Sequence, residues 1–184
     1  MSIIDYIVLA FSLGIMALVA VQSCVSQTKV ALLRGLTISS VMSLSFVVFV
    51  ALGMWLANKV RFDIPEVDSM ISFGLIIVVV VKLLFSVRKG NVMSAYNIQQ
   101  MSTLVSFVIA LGINALILGL GVGFVGQLGA DILKMAIPLV LVVWLMTMWG
   151  IMLGRRNVDI RHRRWQLIGI LCLVVIAFKV AFFK

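Results

Sequence analysis

Two residues near the middle of apolar segments are the first candidates for chemistry in this sequence. Met16 lies in Leu-Gly-Ile-Met-Ala-Leu at 13–18, and Asn114 lies in Leu-Gly-Ile-Asn-Ala-Leu at 111–116. The two segments are 98 residues apart, so Met16 and Asn114 hold equivalent places. An amide in an apolar environment requires a hydrogen-bond partner. The pair therefore predicts either a solute pathway lined by both side chains or, for Asn114, a hydrogen bond between helices.

The chain that carries these segments is too apolar to be an ordinary soluble protein. Of its 184 residues, 64% are hydrophobic and 11% are charged, and the mean hydropathy is +1.26. Soluble domains contain roughly 25% charged residues. This composition argues against a soluble enzyme, a nucleic-acid-binding domain and a disordered chain. It indicates a multi-pass membrane protein in contact with the lipid bilayer.

Six apolar stretches approach or exceed the roughly 20 residues that a helix needs to cross a bilayer. Their hydrophobic runs are continuous, which favours helices over the alternating strands of a barrel. We therefore predict an all-α membrane protein with six transmembrane helices in one membrane domain, residues 1–184. The predicted spans are 6–26, 35–57, 70–87, 101–125, 132–153 and 165–183.

The six spans are predicted to form two repeats, 6–87 and 101–183. A second pair of similar segments, 53–59 and 150–156, is 97 residues apart. A weaker match aligns Gly74 and Lys82 of the third span with Gly169 and Lys179 of the sixth. Three spans per repeat would place the second repeat upside down relative to the first. Many secondary transporters have this inverted arrangement, with the substrate site where the repeats meet.

The basic residues predict how the chain is oriented. Nine lysines and arginines lie in the first, third and fifth connections, against four on the other side of the membrane. The positive-inside rule places those three connections in the cytoplasm and both termini outside it. We expect the protein to lie in the inner membrane of a bacterium. The densest basic loop, 154–164, is expected to contact anionic headgroups or to dock a cytoplasmic partner; it contains Arg155, Arg156, Arg161, Arg163 and Arg164.

Other polar and small residues inside the spans suggest packing more than chemistry. Lys82 and Lys179 lie late in their spans and are expected to snorkel, Lys82 to the cytoplasm and Lys179 to the exterior. Met42 and Ser43 of the second span are further pathway candidates, although small hydroxyl residues also pack well in lipid. Five glycines are expected to allow close helix packing, with a hinged fourth helix as the alternative: Gly14, Gly112, Gly119, Gly121 and Gly123.

The groups that normally bind hard metal ions or relay protons are missing from the six stretches. None of these stretches contains Asp, Glu or His, and the two cysteines, Cys24 and Cys172, lie in different spans. The sequence therefore predicts neither a metal site nor a cofactor. It also predicts no enzyme, because no nucleophile is accompanied by a base.

Over nearly its whole length the chain resembles the bacterial manganese efflux pump family, of the lysine-exporter type superfamily. Members carry a Ser/Thr-hydrophobic-Asp-Ala segment in the first and fourth spans, where this chain has 14–17 and 112–115. Gly119-Leu120-Gly121, Gly154-Arg155 and the apolar sixth span, from Gly169 to Phe182, are similar to the family as well. The resemblance implies a six-helix transporter fold.

The same resemblance implies that the family's carboxylates have been replaced. They fall on Met16 and Asn114 and, with a looser alignment, on Met42 and Phe85. Three functions stay open: a transporter of a small solute other than a free divalent metal, a non-transporting membrane subunit that binds or anchors another membrane protein, and a manganese exporter with divergent ligands.

Overall fold

The protein is a bundle of six α-helices, described here from a computed structural model. The structure describes residues 3–26, 30–60, 65–89, 100–125, 130–156 and 162–182. Within these ranges the regular structure is helical, which confirms the predicted all-α fold of six helices. The helices are α1 Ile3–Val25, α2 Leu32–Val60, α3 Pro65–Lys89, α4 Met101–Val125, α5 Ala130–Arg155 and α6 His162–Phe182.

Five of the helices are long and apolar enough to cross a membrane, and the sixth contains a shorter apolar stretch, Trp165–Lys179. The outward surface of the bundle is apolar as well, because large apolar side chains project from every helix. Water would disfavour such a surface, and lipid acyl chains would accept it. The chain is therefore a multi-pass membrane protein.

The helices pack in a pattern that is unchanged when α1, α2 and α3 are exchanged with α4, α5 and α6. Helix α1 packs against α5 and α6, and α4 packs in the same way against α2 and α3. Two further main contacts among the described helices, α2 with α5 and α3 with α6, each join equivalent helices. The candidate residues Met16 and Asn114 therefore occupy helices with equivalent neighbours.

Glycines at equivalent positions make equivalent close contacts. Gly53 of α2 lies directly against the backbone of Leu116 in α4, and Gly150 of α5 lies against the backbone of Leu18 in α1. A Cβ atom on Gly150 would be 2.7 Å from the Leu18 carbonyl oxygen, closer than real Cβ contacts. The backbones can approach this closely only because neither glycine has a side chain.

A second set of equivalent contacts surrounds the two candidate segments. Gly14, in the α1 segment, packs on the Met146 side chain of α5, and Gly112, in the α4 segment, packs on the Phe49 ring of α2. Each glycine, and each partner, is 97 or 98 residues from its counterpart. The two halves thus hold the segments with Met16 and Asn114 in the same manner.

The proposed alignment of Gly74 with Gly169 is wrong. Gly74 is exposed and has no neighbouring atom within 4 Å of an added Cβ, whereas Gly169 is buried against Ile15 and the Ser12 carbonyl. Burial along α3 and α6 instead repeats every 97 residues: Ile76 with Leu173, Val79 with Ile176, and Val80 with Ala177. At this spacing Lys82 still corresponds to Lys179.

Candidate functional site

Met16 and Asn114 meet inside the bundle. Each is the fourteenth residue of its helix, and Asn114 is only 3% exposed. The Asn114 amide Nδ2 donates to the Met16 sulfur at 3.7 Å. Thioether sulfur is a weak acceptor, so this contact holds the amide loosely.

Lys82 completes the site from a third helix. Its ammonium Nζ donates to Oδ1 of Asn114 at 2.6 Å. The Asn114 amide therefore lies between a cation on α3 and a sulfur on α1. We call Met16, Lys82 and Asn114 the central cluster.

The expectation that Lys82 snorkels to the end of its helix is wrong. Its amine reaches Asn114, which is at mid-helix in α4, although the lysine itself is an exposed residue seven positions before the end of α3. The sequence carried one signal for this role, because Lys82 is a charged residue in an apolar span and the counterpart of another such lysine. That signal gave no indication of which partner the side chain would choose.

A small cleft adjoins the central cluster on its α1 side, between α1, α3 and α6. Its polar lining comes from Ser12 and Gln166, and Met16 and Leu83 connect it to the cluster. The Ser12 hydroxyl donates to the Gly169 carbonyl at 2.8 Å and so links α1 to α6. The cleft is small and has room for water molecules.

The other two pathway candidates, Met42 and Ser43, are both buried in α2. Met42 has no exposed surface and belongs to the hydrophobic core. The Ser43 hydroxyl donates to the Ser40 carbonyl at 3.1 Å, on its own helix. In this conformation Ser43 satisfies its polar group locally, and a pathway role for either residue stays a prediction.

The five glycines named for packing all lie against another helix. Besides Gly14 and Gly112, Gly119 contacts the Val50 backbone and Gly123 contacts Met54 and Ala57, both on α2. Gly121 faces α3, where an added Cβ would be 3.3 Å from Ile76. In α4, which the structure describes from Met101 to Val125, the helix is continuous through its four glycines.

A second lysine links a different pair of helices. The Lys179 ammonium lies 2.6 Å from the Asp5 carboxylate, and the Asp5 side chain is only 9% exposed. Asp5 is in the first turn of α1 and Lys179 in the last turn of α6. The pair is therefore at the helix ends, as snorkelling of Lys179 predicts.

Four acidic residues lie within the helices but outside the predicted spans: Asp5, Glu66, Asp68 and Asp131. Asp5 in α1 and Asp68 in α3 are both buried, at 7% and 2% exposure. The apolar stretches stopped short of them because hydropathy falls at the polar ends, while the backbone hydrogen bonds of the helix continue. In the described ranges no three His, Cys, Asp or Glu side chains come together.

The basic loop is described only in part. Arg155 ends α5, Arg156 follows in a turn, and both are exposed. Arg161 lies outside the described residues. The backbone of Arg163 and Arg164 belongs to the first turn of α6, which begins at His162 and shortens the predicted loop. Contact with headgroups or with a partner stays a prediction.

Comparison with protein families decides the relationship of the chain. The family model described as "Putative manganese efflux pump" (Mntp) matches residues 25–181. The chain belongs to this family. No curated protein and no solved structure matches it.

The match to the manganese efflux pump family includes two of the three residues of the central cluster. Lys82 and Asn114 lie within the matched residues, whereas Met16 lies before them. The family relationship thus supports a transporter-like membrane protein. Its central cluster contains an ammonium group, an amide and a thioether, and no carboxylate.

Proposed function

We propose that this protein is a transporter with the manganese efflux fold that moves a small solute other than a free divalent cation. It would function in the bacterial inner membrane, with the basic connections in the cytoplasm and both termini outside, and it would catalyse no covalent chemistry. Family membership and the apolar helices support the transporter part of this proposal. The contact between Lys82 and Asn114 supports the restriction on the solute.

The restriction follows from charge. By resemblance, the position of Asn114 would carry a carboxylate in a manganese exporter, and here an ammonium group lies 2.6 Å from its oxygen. A dication bound to that oxygen would lie within about 4 Å of Nζ, where repulsion amounts to about 8 kcal/mol at an effective dielectric constant of 20. An amide and a thioether supply no negative charge to offset this repulsion.

A second candidate is a membrane subunit that keeps the fold, transports nothing and binds another membrane protein. The small size of the cleft beside the central cluster favours it, because a transported solute needs a wider opening. A transporter would have to widen this cleft, or another, during its cycle. The two candidates thus differ in whether the bundle opens.

Current measurements on proteoliposomes adsorbed to a solid support test the proposal. Rapid jumps in nitrate, phosphate, acetate or Mn²⁺ would be applied to purified protein and to empty liposomes. We expect a transient current with at least one anion, none with Mn²⁺, and loss of the anion current in Lys82→Met. Lys59→Met is the matched control, since Lys59 lies over the Trp55 ring near the end of α2.

Each alternative has its own signature. A saturable Mn²⁺ current in the wild type would overturn the proposal in favour of an exporter with divergent ligands. Absence of any current, together with a stoichiometric membrane protein that co-purifies in mild detergent, would overturn it in favour of the subunit.

A further inference from the structure

We propose that Lys82 and Asn114 form a binding site for a small oxyanion group, such as nitrate, phosphate or the phosphate of a lipid headgroup. The inference deepens the proposed function, because it names the chemical class of the solute. Binding at this site does not itself require transport. The two ideas can therefore fail separately.

The hydrogen-bonding groups of the cluster favour an anion. An ammonium has three donors and no acceptor, and one of the three is used on Asn114 Oδ1. The Asn114 amide has two donors, one of which is directed at the Met16 sulfur. An oxyanion could take the unused donors and replace the weak sulfur acceptor with a charged oxygen, which forms stronger hydrogen bonds.

The Lys82 charge also lacks a counter-ion among the described residues. The Lys82 amine makes its contact with a neutral amide, whereas Asp5 is 2.6 Å from Lys179. Asp68, a buried carboxylate of α3, precedes Lys82 by 14 residues, which is about 21 Å along a helix. A lysine charge inside a membrane span is energetically costly, and a bound anion would lower that cost.

The sequence that directly follows Lys82 also supplies no acidic residue as a counter-ion. Residues 86–100 contain no Asp or Glu but add Arg88 and Lys89, so the chain after Lys82 supplies further positive charge. Lys82 itself is an exposed residue of α3. Positive charge in the sequence that follows a span favours the approach of anions to that side of the membrane.

The experiment measures binding without transport. Wild-type protein in nanodiscs of phosphatidylcholine would be titrated with sodium nitrate and, separately, sodium phosphate at constant ionic strength. Thermal unfolding would be followed by tryptophan fluorescence. A ligand that binds only the folded state raises Tm by about 5–10 °C at one hundred times its Kd. We expect a rise of this size, growing with the logarithm of the anion concentration above Kd, in the wild type and in Lys59→Met, and none in Lys82→Met.

Further variants separate charge from folding. Lys82→Arg keeps a cation and should retain part of the rise, whereas Lys82→Gln should lose it even if Lys82→Met folds poorly. Nanodiscs that contain phosphatidylglycerol distinguish the source of the anion. If they raise Tm in the wild type but not in Lys82→Gln, while free anions have no effect, the oxyanion is a lipid phosphate.

Two results would overturn the site. One is an equal rise in Lys82→Gln and the wild type; the other is no rise with free anions or with phosphatidylglycerol. A normal rise without any transport current would instead leave the site standing and remove the proposed transport.

Discussion

Lys82 and Lys179 hold equivalent positions, 97 residues apart, but make different contacts. Lys179 extends to the end of its helix and pairs with the nearly buried Asp5 carboxylate. Lys82 turns toward the middle of the bundle and donates to the neutral Asn114 amide. One charge is neutralised within the protein, and the other keeps donors for a ligand.

The difference shows how one scaffold can provide both a structural link and a binding group. An ion pair between helix ends holds α1 and α6 together and has no charge to spare. The central cluster links α3, α4 and α1 through an amide and a weak sulfur contact, which a ligand could rearrange at small cost. We therefore assign stability mainly to Lys179 and ligand binding mainly to Lys82.

Substitutions at the equivalent glycines of the two halves, Gly53 and Gly150, should have the largest effect on stability. Gly53→Ala would place a methyl group against the Leu116 backbone, and backbone cannot rotate away as a side chain can. Overpacking of this kind costs about 3 kcal/mol. Gly150→Ala, its equivalent, should cost a similar amount, measured by unfolding in mixed micelles with increasing SDS.

Gly74→Ala is the matched control for these two substitutions, since no atom lies within 4 Å of its added Cβ. It should unfold at the same SDS fraction as the wild type. If the losses in free energy of unfolding for Gly53→Ala and Gly150→Ala differed by more than about 1 kcal/mol, the glycine contacts of the two halves would not be equivalent.

The second effect concerns the neutralised lysine. Lys179→Met would leave the Asp5 carboxylate at 9% exposure without the ammonium partner. Removing one member of a buried pair costs about 3–5 kcal/mol, and we expect about 2 kcal/mol because Lys179 is 45% exposed. The same SDS titration gives the value.

Asp5→Asn should cost less, about 1 kcal/mol, since the half-exposed lysine can turn to the membrane surface. The double variant should be more stable than Lys179→Met alone. Equal losses in both single variants and their sum in the double would show that the pair contributes no coupling energy.

The third effect tests whether Lys82 can be neutralised in the same way. Asn114→Asp would place a carboxylate beside the Lys82 ammonium and convert the central cluster into an ion pair. We expect unfolding to become about 1 kcal/mol more costly and the nitrate- or phosphate-dependent rise in Tm to disappear. An undiminished rise in Tm would separate the anion effect from this cluster.

The sequence was sufficient for the features that depend on composition and spacing. Long apolar runs predict the six helices, and the spacing of 97 or 98 residues predicts that Met16 and Asn114 are equivalent. Hydropathy did not predict the buried carboxylates Asp5 and Asp68, because it averages a polar residue at a helix end with its surroundings. The helix itself continues through such residues.

The central cluster could be predicted only in part. Asn114 is recognisable as an amide in an apolar span, but Lys82 is 32 residues away along the chain. Whether a lysine extends to the membrane surface or turns to an amide depends on its side-chain torsions and on the packing of α3 against α4. Neither is encoded in the local pattern, and the repeat suggested the opposite, since Lys179 extends to the end of α6.

The smallest effect on stability is expected for Lys82→Met, in phosphatidylcholine nanodiscs without added oxyanions. Loss of the hydrogen bond to Asn114 costs about 1 kcal/mol, while removal of a charge from a membrane span returns a similar or larger amount. The two terms oppose each other, so Tm should change by no more than about 3 °C. A fall of Tm as large as that of Lys179→Met would mean that Lys82 is a structural link like its counterpart, and the contrast between the two lysines would be lost.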